Sequence, residues 1–140
     1  AVAGAWLHDF GDAFVHRHSE EHDEISEREA LKVLEKTEYN PDDIAFVMNE
    51  VIAPHSCRDG FLPTTMEGKI MTTADSLAHL TTNFYIEFAW MHIPENIEFK
   101  EFLQWVEEKL ERDFHTKIFF DEVRDEVKFR YDALKEVFVR

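Results

Sequence analysis

From Ile97 to Arg140 the chain contains neither glycine nor proline, and the whole sequence has only four of each. Strand-rich sandwiches and barrels need a turn every ten residues or so, and turns draw on those two residues. A chain this poor in both, and dense in Glu, Lys, Leu, Phe and Ala, is predicted to be all-α. In the Gly- and Pro-free part, Phe99, Phe102, Leu103, Val106 and Leu110 recur at helical spacing. Val123, Val127, Tyr131, Leu134 and Phe138 form a second stripe, with a break expected near His115 to Phe120. Two long antiparallel helices closing a bundle are the expectation. At 140 residues and 44% hydrophobic, the chain fits one domain, residues 1–140, burying roughly two-thirds of its unfolded surface.

Earlier segments carry their own punctuation. Residues 1–8 read as the last turns of a helix stopped by Gly11, and Asp12 to Asp23 as a His-rich loop. Ser26 and Glu29 form an S-x-x-E box for a helix reaching about Glu38. Asn40 followed by Pro41 starts another, whose Ile44, Val47, Met48, Val51 and Ile52 keep helical spacing up to Pro54. Thr64 and Glu67 make a second box, leading to a helix through Ile70, Met71, Ala74, Asp75, Leu77 and Ala78 and past Thr81. The aromatic run NFYIEFAWMHIP either extends that helix or starts a new one, and reads as a buried face rather than a base-stacking platform.

Thirty acidic residues against fifteen basic ones give a formal charge of −15. Such a surface repels long nucleic acid and anionic lipid, but a bound dication overrides that field locally, so a small phosphate ester stays admissible. No apolar stretch approaches the roughly 18 residues of a membrane span, and the start shows no basic n-region or cleavage site. With one cysteine, Cys57, no internal disulfide is possible, and a cytoplasmic location is the expectation.

Four of the eight histidines fall in the first 22 residues. The informative placement is that of His8, Asp9, His22, His55 and Asp75, at or near the ends of expected helices or on one helix face, where a bundle can aim them at a common centre. Mixed imidazole and carboxylate donors suit one or two divalent ions such as Mn, Mg, Fe or Zn. His16, His18, His79, His92 and His115 read as solvated.

The segments AVAGAWLHDFG, HDEISEREALKVLEK, DDIAFVMNEVIAPHS and EGKIMTTADSLAHL resemble the HD-domain superfamily of metal-dependent phosphohydrolases. The likeness spans about Ala1 to Leu80, and WVEEKLERDFHTKIFFDEVRDEVKFRYDALKEVF is similar to the helical tail of some members. The resemblance implies an HD-type helical bundle in which His8 and Asp9 are the paired ligands and Asp75 the distant one. His22 and His55 align with the extra histidines that hold a second metal in some relatives. The family's first histidine lies on a helix upstream of the pair, so the resemblance reads the chain as lacking that helix. Where phosphodiesterase relatives often read HDxGK, this chain reads HDFGD. Asp12 thus stands in place of a lysine, as in nucleotidase relatives where an acid there assists proton transfer.

The function so implied is hydrolysis of a small phosphate ester, nucleotides among the candidates, by a water whose pKa the metal lowers from about 16 toward about 7. Asp9 holds the ion, Asp12 moves a proton, and Arg58 and Lys69 steady the substrate's negative charge. Two rivals share these residues: a di-iron oxygenase of HD type, and a non-catalytic module that binds a nucleotide or protein after losing a ligand.

Overall fold

The computed structural model describes residues 1–15, 21–92 and 98–139, except the side chains of residues 90–92. His16, His18 and the His92 side chain therefore lie outside the described residues. Among those described, every regular element is helical, as expected of an all-α chain. Among the described residues no helix is long and apolar enough to cross a membrane. The chain divides into two compact units, Ala1–Thr72 and Thr73–Arg140.

The first unit begins with α1 (Val2–Leu7) and a 3₁₀ turn, Phe10–Ala13. Next come α2 (His22–Leu34) and α3 (Pro41–Phe46). Helix α3 starts where the sequence indicates, with the Asn40 side-chain oxygen accepting the Asp43 N–H at 2.9 Å and Pro41 in the first turn. It does not stop at Phe46. The backbone widens into a π turn, Val47–Ile52, then tightens into a 3₁₀ turn, Ala53–Ser56, that absorbs Pro54. Cys57, at φ 52°, ends the run in the left-handed region. Leu7, Ala30, Leu34 and Ile52 form the core here, with Ala3, Ile44, Val47 and Met48 packed on it.

Two glycines permit this packing. A Cβ on Gly4 would lie 2.6 Å from Val51 Cγ1, so α1 rests on the π turn only because that carbon is missing. On Gly11 it would lie 2.5 Å from Ser26 Oγ and 2.8 Å from the His22 carbonyl oxygen. Gly11 is therefore required for close approach to α2, rather than as the helix stop expected from the sequence, since α1 already ends at Leu7. Ser26 also departs from expectation. It sits inside α2, buried, and its Oγ accepts the Gly11 N–H at 2.9 Å instead of capping the helix, which begins four residues earlier.

Helix α4 (Met66–Thr81) runs from the first unit into the second. Its first turn is satisfied by Thr65, whose hydroxyl accepts the Gly68 N–H at 3.2 Å, while Thr64 donates to Glu50 at 3.0 Å. The expected Thr64–Glu67 box is thus not formed, and Thr65 alone supplies the capping hydroxyl. The second unit continues with α5 (Phe84–His92), α6 (Phe99–Glu111) extended by a π turn at Arg112–Thr116, and α7 (Asp121–Phe138). The aromatic run does start a new helix, with Tyr85 and Phe88 buried.

Helices α6 and α7 are antiparallel: Phe102 meets Phe138 at 6.4 Å between ring centroids, whereas Phe114 stacks on Tyr131 at 4.1 Å. Val106 and Leu110 lie along α6 between these contacts, and Ile118 and Val127 beyond the second, joined by Leu80, Tyr85 and Phe88 in one apolar cluster. Burying each large apolar side chain contributes about 1.5–3 kcal/mol.

Candidate metal centre

Helix α1 ends at Leu7 and the chain turns sharply at Asp9 (φ −106°, ψ 24°) into the 3₁₀ turn. That exit carries His8 and Asp9 off the helix side by side, while the 3₁₀ ending of the α3 run delivers His55. One ligand atom from each of His8, Asp9 and His55 lies within 4.8 Å of the others. His8 Nε2 is 3.3 Å from one Asp9 oxygen, and His55 Nε2 is 3.8 Å from the other. The two rings meet edge to face, 4.9 Å between centroids.

The opposite ring nitrogens fix the tautomers. His55 Nδ1 donates to the Ile52 carbonyl at 2.6 Å, and His8 Nδ1 donates to the Ala5 carbonyl at 3.2 Å. A carbonyl oxygen can only accept, so in each neutral ring the proton sits on Nδ1 and the lone pair on Nε2. Both Nε2 lone pairs therefore face the same region as the Asp9 carboxylate. A backbone carbonyl orienting the far nitrogen of an imidazole is the usual outer support of a metal-ligating histidine. Two imidazoles and one carboxylate, partly screened from water, fit a borderline divalent ion.

His22 and Asp12 belong to a neighbouring string. Buried His22 places Nε2 2.8 Å from Asp12 and Nδ1 3.2 Å from Asp23, and Arg58 donates to the other Asp23 oxygen at 2.8 Å. Both ring nitrogens of His22 thus face carboxylates. Asp12 follows Asp9 in the same 3₁₀ turn, its N–H donating to the Asp9 carbonyl at 3.0 Å. Three residues singled out separately in the sequence, Asp12, His22 and Arg58, are joined through Asp23, which was not singled out. Lys69 is half-buried on the first turns of α4.

Asp75 lies in the second unit. Its carboxylate receives a short ion pair from Lys117 and lies 3.4 Å from His79 Nε2. Around them is a network with no counterpart in the sequence reading. Fully buried Asp113 accepts from Tyr85 at 2.8 Å and from His79 Nδ1 at 3.0 Å, and Lys109 Nζ approaches it to 3.2 Å. Burial alone would raise the Asp113 pKa. Lys109, His79 and Lys117 outweigh it and hold the carboxyl well below its ordinary value of 3.8. Burial pushes the Lys109 ammonium down to about 8, with Asp113 opposing. His79, expected to be solvated, is buried, and burial lowers its pKa. His115 is exposed, as expected. The signal that could have exposed this network is the spacing Lys109, Asp113, Lys117: one helix face bearing alternating charge beside an apolar stripe.

No known family model, characterised protein or solved structure matches the chain.

Proposed function

We propose that the chain is an HD-type metal-dependent phosphohydrolase that cleaves a small phosphate ester, nucleotides among them, in the cytoplasm. The observation that carries this reading is the pair of imidazoles whose Nδ1 protons are committed to the Ile52 and Ala5 carbonyls, so that both Nε2 lone pairs converge with Asp9. His8, Asp9 and His55 would hold the ion. When bound, a divalent ion supplies positive charge for a phosphoryl oxygen and acidifies water toward about neutral pH.

The remaining work falls to the neighbouring string. Asp12, with its side chain partly exposed and His22 at 2.8 Å, is placed to take up a proton and pass it toward the ring. Arg58 anchors Asp23, which orients His22 from the other side.

A second reading rests on the donor set. Two histidines and one carboxylate are also the ligands of non-haem iron oxygenases. Elemental analysis of the purified protein, with a screen of generic phosphoesters and nucleotides against added Mn, Mg, Zn and Fe, separates the two. Metal-dependent phosphate release supports the hydrolase; iron with redox-dependent spectra and no phosphate release supports the oxygenase; absence of any retained metal ends both. Asp12→Asn is expected to retain metal and lower turnover by about 10²–10⁴. An unchanged rate removes Asp12 from the reaction.

A further inference from the structure

We propose that the groove between α2 and α3 is a docking site for a basic amphipathic helix of a partner protein. The groove is a cleft of about 860 Å³ in the first unit. One wall is the α2 stripe Glu24, Glu27, Leu31 and Glu35, and the other is the α3 stripe Ile44, Ala45 and Met48 with its π-turn extension. Both stripes follow i, i+3, i+4 spacing, so the walls are two helix faces with an unfilled valley between them. From Glu24 to Glu35 the valley runs roughly 16 Å at 1.5 Å per residue, about three turns of an occupying helix.

The chemistry of the lining selects the occupant. The floor is apolar: Leu31 is 37% exposed, and Ile44 and Met48 are half-buried without being covered. The rim is anionic. Among the described residues no ion pair engages Glu24, Glu27 or Glu35, while Arg28 and Lys32 on the same helix pair with Glu29. Glu27 is held above its ordinary value of 4.5 by burial first and then by repulsion from Asp23 and Glu24. A carboxylate in that position is relieved by an incoming cation. An apolar floor with unneutralised carboxylates along one edge is complementary to a helix carrying an apolar stripe flanked by Lys or Arg. A second copy of this chain is disfavoured, because it would bring its own excess of acid, thirty residues against fifteen basic. The proposal is independent of the metal reading, since none of the groove residues named here is a candidate ligand.

The test uses the whole chain and a fluorescent synthetic helix of about 14 residues, Leu and Lys at amphipathic spacing, long enough to cover three turns. Two controls accompany it: the same composition scrambled to destroy the stripe, and a Leu/Glu analogue. Saturable 1:1 binding of the amphipathic basic peptide, at least about tenfold tighter than the scrambled one, is expected. The double change Glu24→Lys with Glu27→Lys, and separately Leu31→Asp, should each weaken it about tenfold or more. The same charge reversal on α7, Glu122→Lys with Glu126→Lys, should weaken it less than about twofold. Circular dichroism confirms that each variant is helical. Equal binding of the scrambled peptide, equal loss from the α7 reversal, or no saturation overturns the proposal, the first two by showing diffuse attraction to an acidic surface.

Discussion

The two units each collect histidine, aspartate and helix-end geometry, and they use them in opposite ways. In the second unit, buried Asp113 is met by Lys109, His79 and Tyr85, so charge and hydrogen-bonding capacity are matched inside the protein. In the first unit, the protons of His8 and His55 are turned outward to backbone carbonyls, and the electron pairs inward beside Asp9. The first arrangement is closed by its own residues. The second presents donors suited to a cation brought from outside. A cluster of titratable residues therefore argues for chemistry less by its composition than by the direction in which its protons are held.

This contrast can be broken by substitution. His55→Ala or His8→Ala should lower metal retention and phosphoester turnover by about a hundredfold or more, because even the outer partners of a ligand are worth about 10–100-fold. Both variants should keep the helical circular-dichroism signal. Asp113→Ala should do the reverse. Removing one member of a buried ion pair costs about 3–5 kcal/mol, read as a lower urea midpoint, with metal binding by the remaining folded protein unchanged. If His55→Ala unfolds the chain while Asp113→Ala strips the metal, the assignment of roles is inverted. Asp75 sharpens the comparison, since the resemblance makes it a ligand and the structure pairs it with Lys117. Asp75→Asn that loses metal supports the first role; lost stability with metal retained supports the second.

Acid and base should distinguish the units further. The folded Asp113 keeps its charge at pH values where the unfolded chain is protonated. Its contribution to stability is therefore complete above about pH 4 and lost as pH falls below that value. Lys109 gives a slope of the same sign at alkaline pH. Its folded value of about 8 lies under the ordinary 10.5, so between them the unfolded chain binds more protons and stability rises with pH. Urea midpoints of the metal-free protein followed from pH 2 to pH 10 should show both slopes, and Asp113→Asn should flatten the acid one. An unaltered acid slope in that variant assigns it to other carboxylates.

What could be read without coordinates follows from how locally each feature is determined. Asn40 with Pro41, and the stripes of α6 and α7, depend on neighbours within a few residues, and the structure bears them out. Ser26 was misread because an S-x-x-E spacing inside a helix is locally identical to one at its start; what decides is the Gly11 N–H arriving from fifteen residues away. His79 was misread for a similar reason, as the partner that makes its burial tolerable, Asp113, is 34 residues distant. The π turns at Val47–Ile52 and Arg112–Thr116 leave no mark in composition, yet one precedes His55 and the other contains Asp113. For the candidate metal site, His8, Asp9 and His55 were legible by type and resemblance. The carbonyls that orient their rings were not, because a backbone oxygen has no letter in the sequence.

The smallest effect tests how tightly the 3₁₀ turn must sit on α2. Gly11 is buried, and the carbon added in Gly11→Ala would meet both the Ser26 hydroxyl and the His22 backbone. The hydroxyl can rotate away, but the carbonyl belongs to a helix and cannot. Turn and helix must therefore separate by some tenths of an ångström, at about 1–3 kcal/mol for an overpacked contact. The displacement falls on the segment between Asp9 and Asp12, so turnover should drop although neither side chain is altered. Ser26→Ala provides the complementary loss, removing the acceptor of the Gly11 N–H without adding bulk, at about 1–3 kcal/mol for an unpaired buried donor. If Gly11→Ala reduces stability and turnover while Ser26→Ala reduces stability alone, the position of the turn, rather than its hydrogen bond, sets the geometry of Asp9 and Asp12. Equal effects on turnover would make the hydrogen bond the determinant.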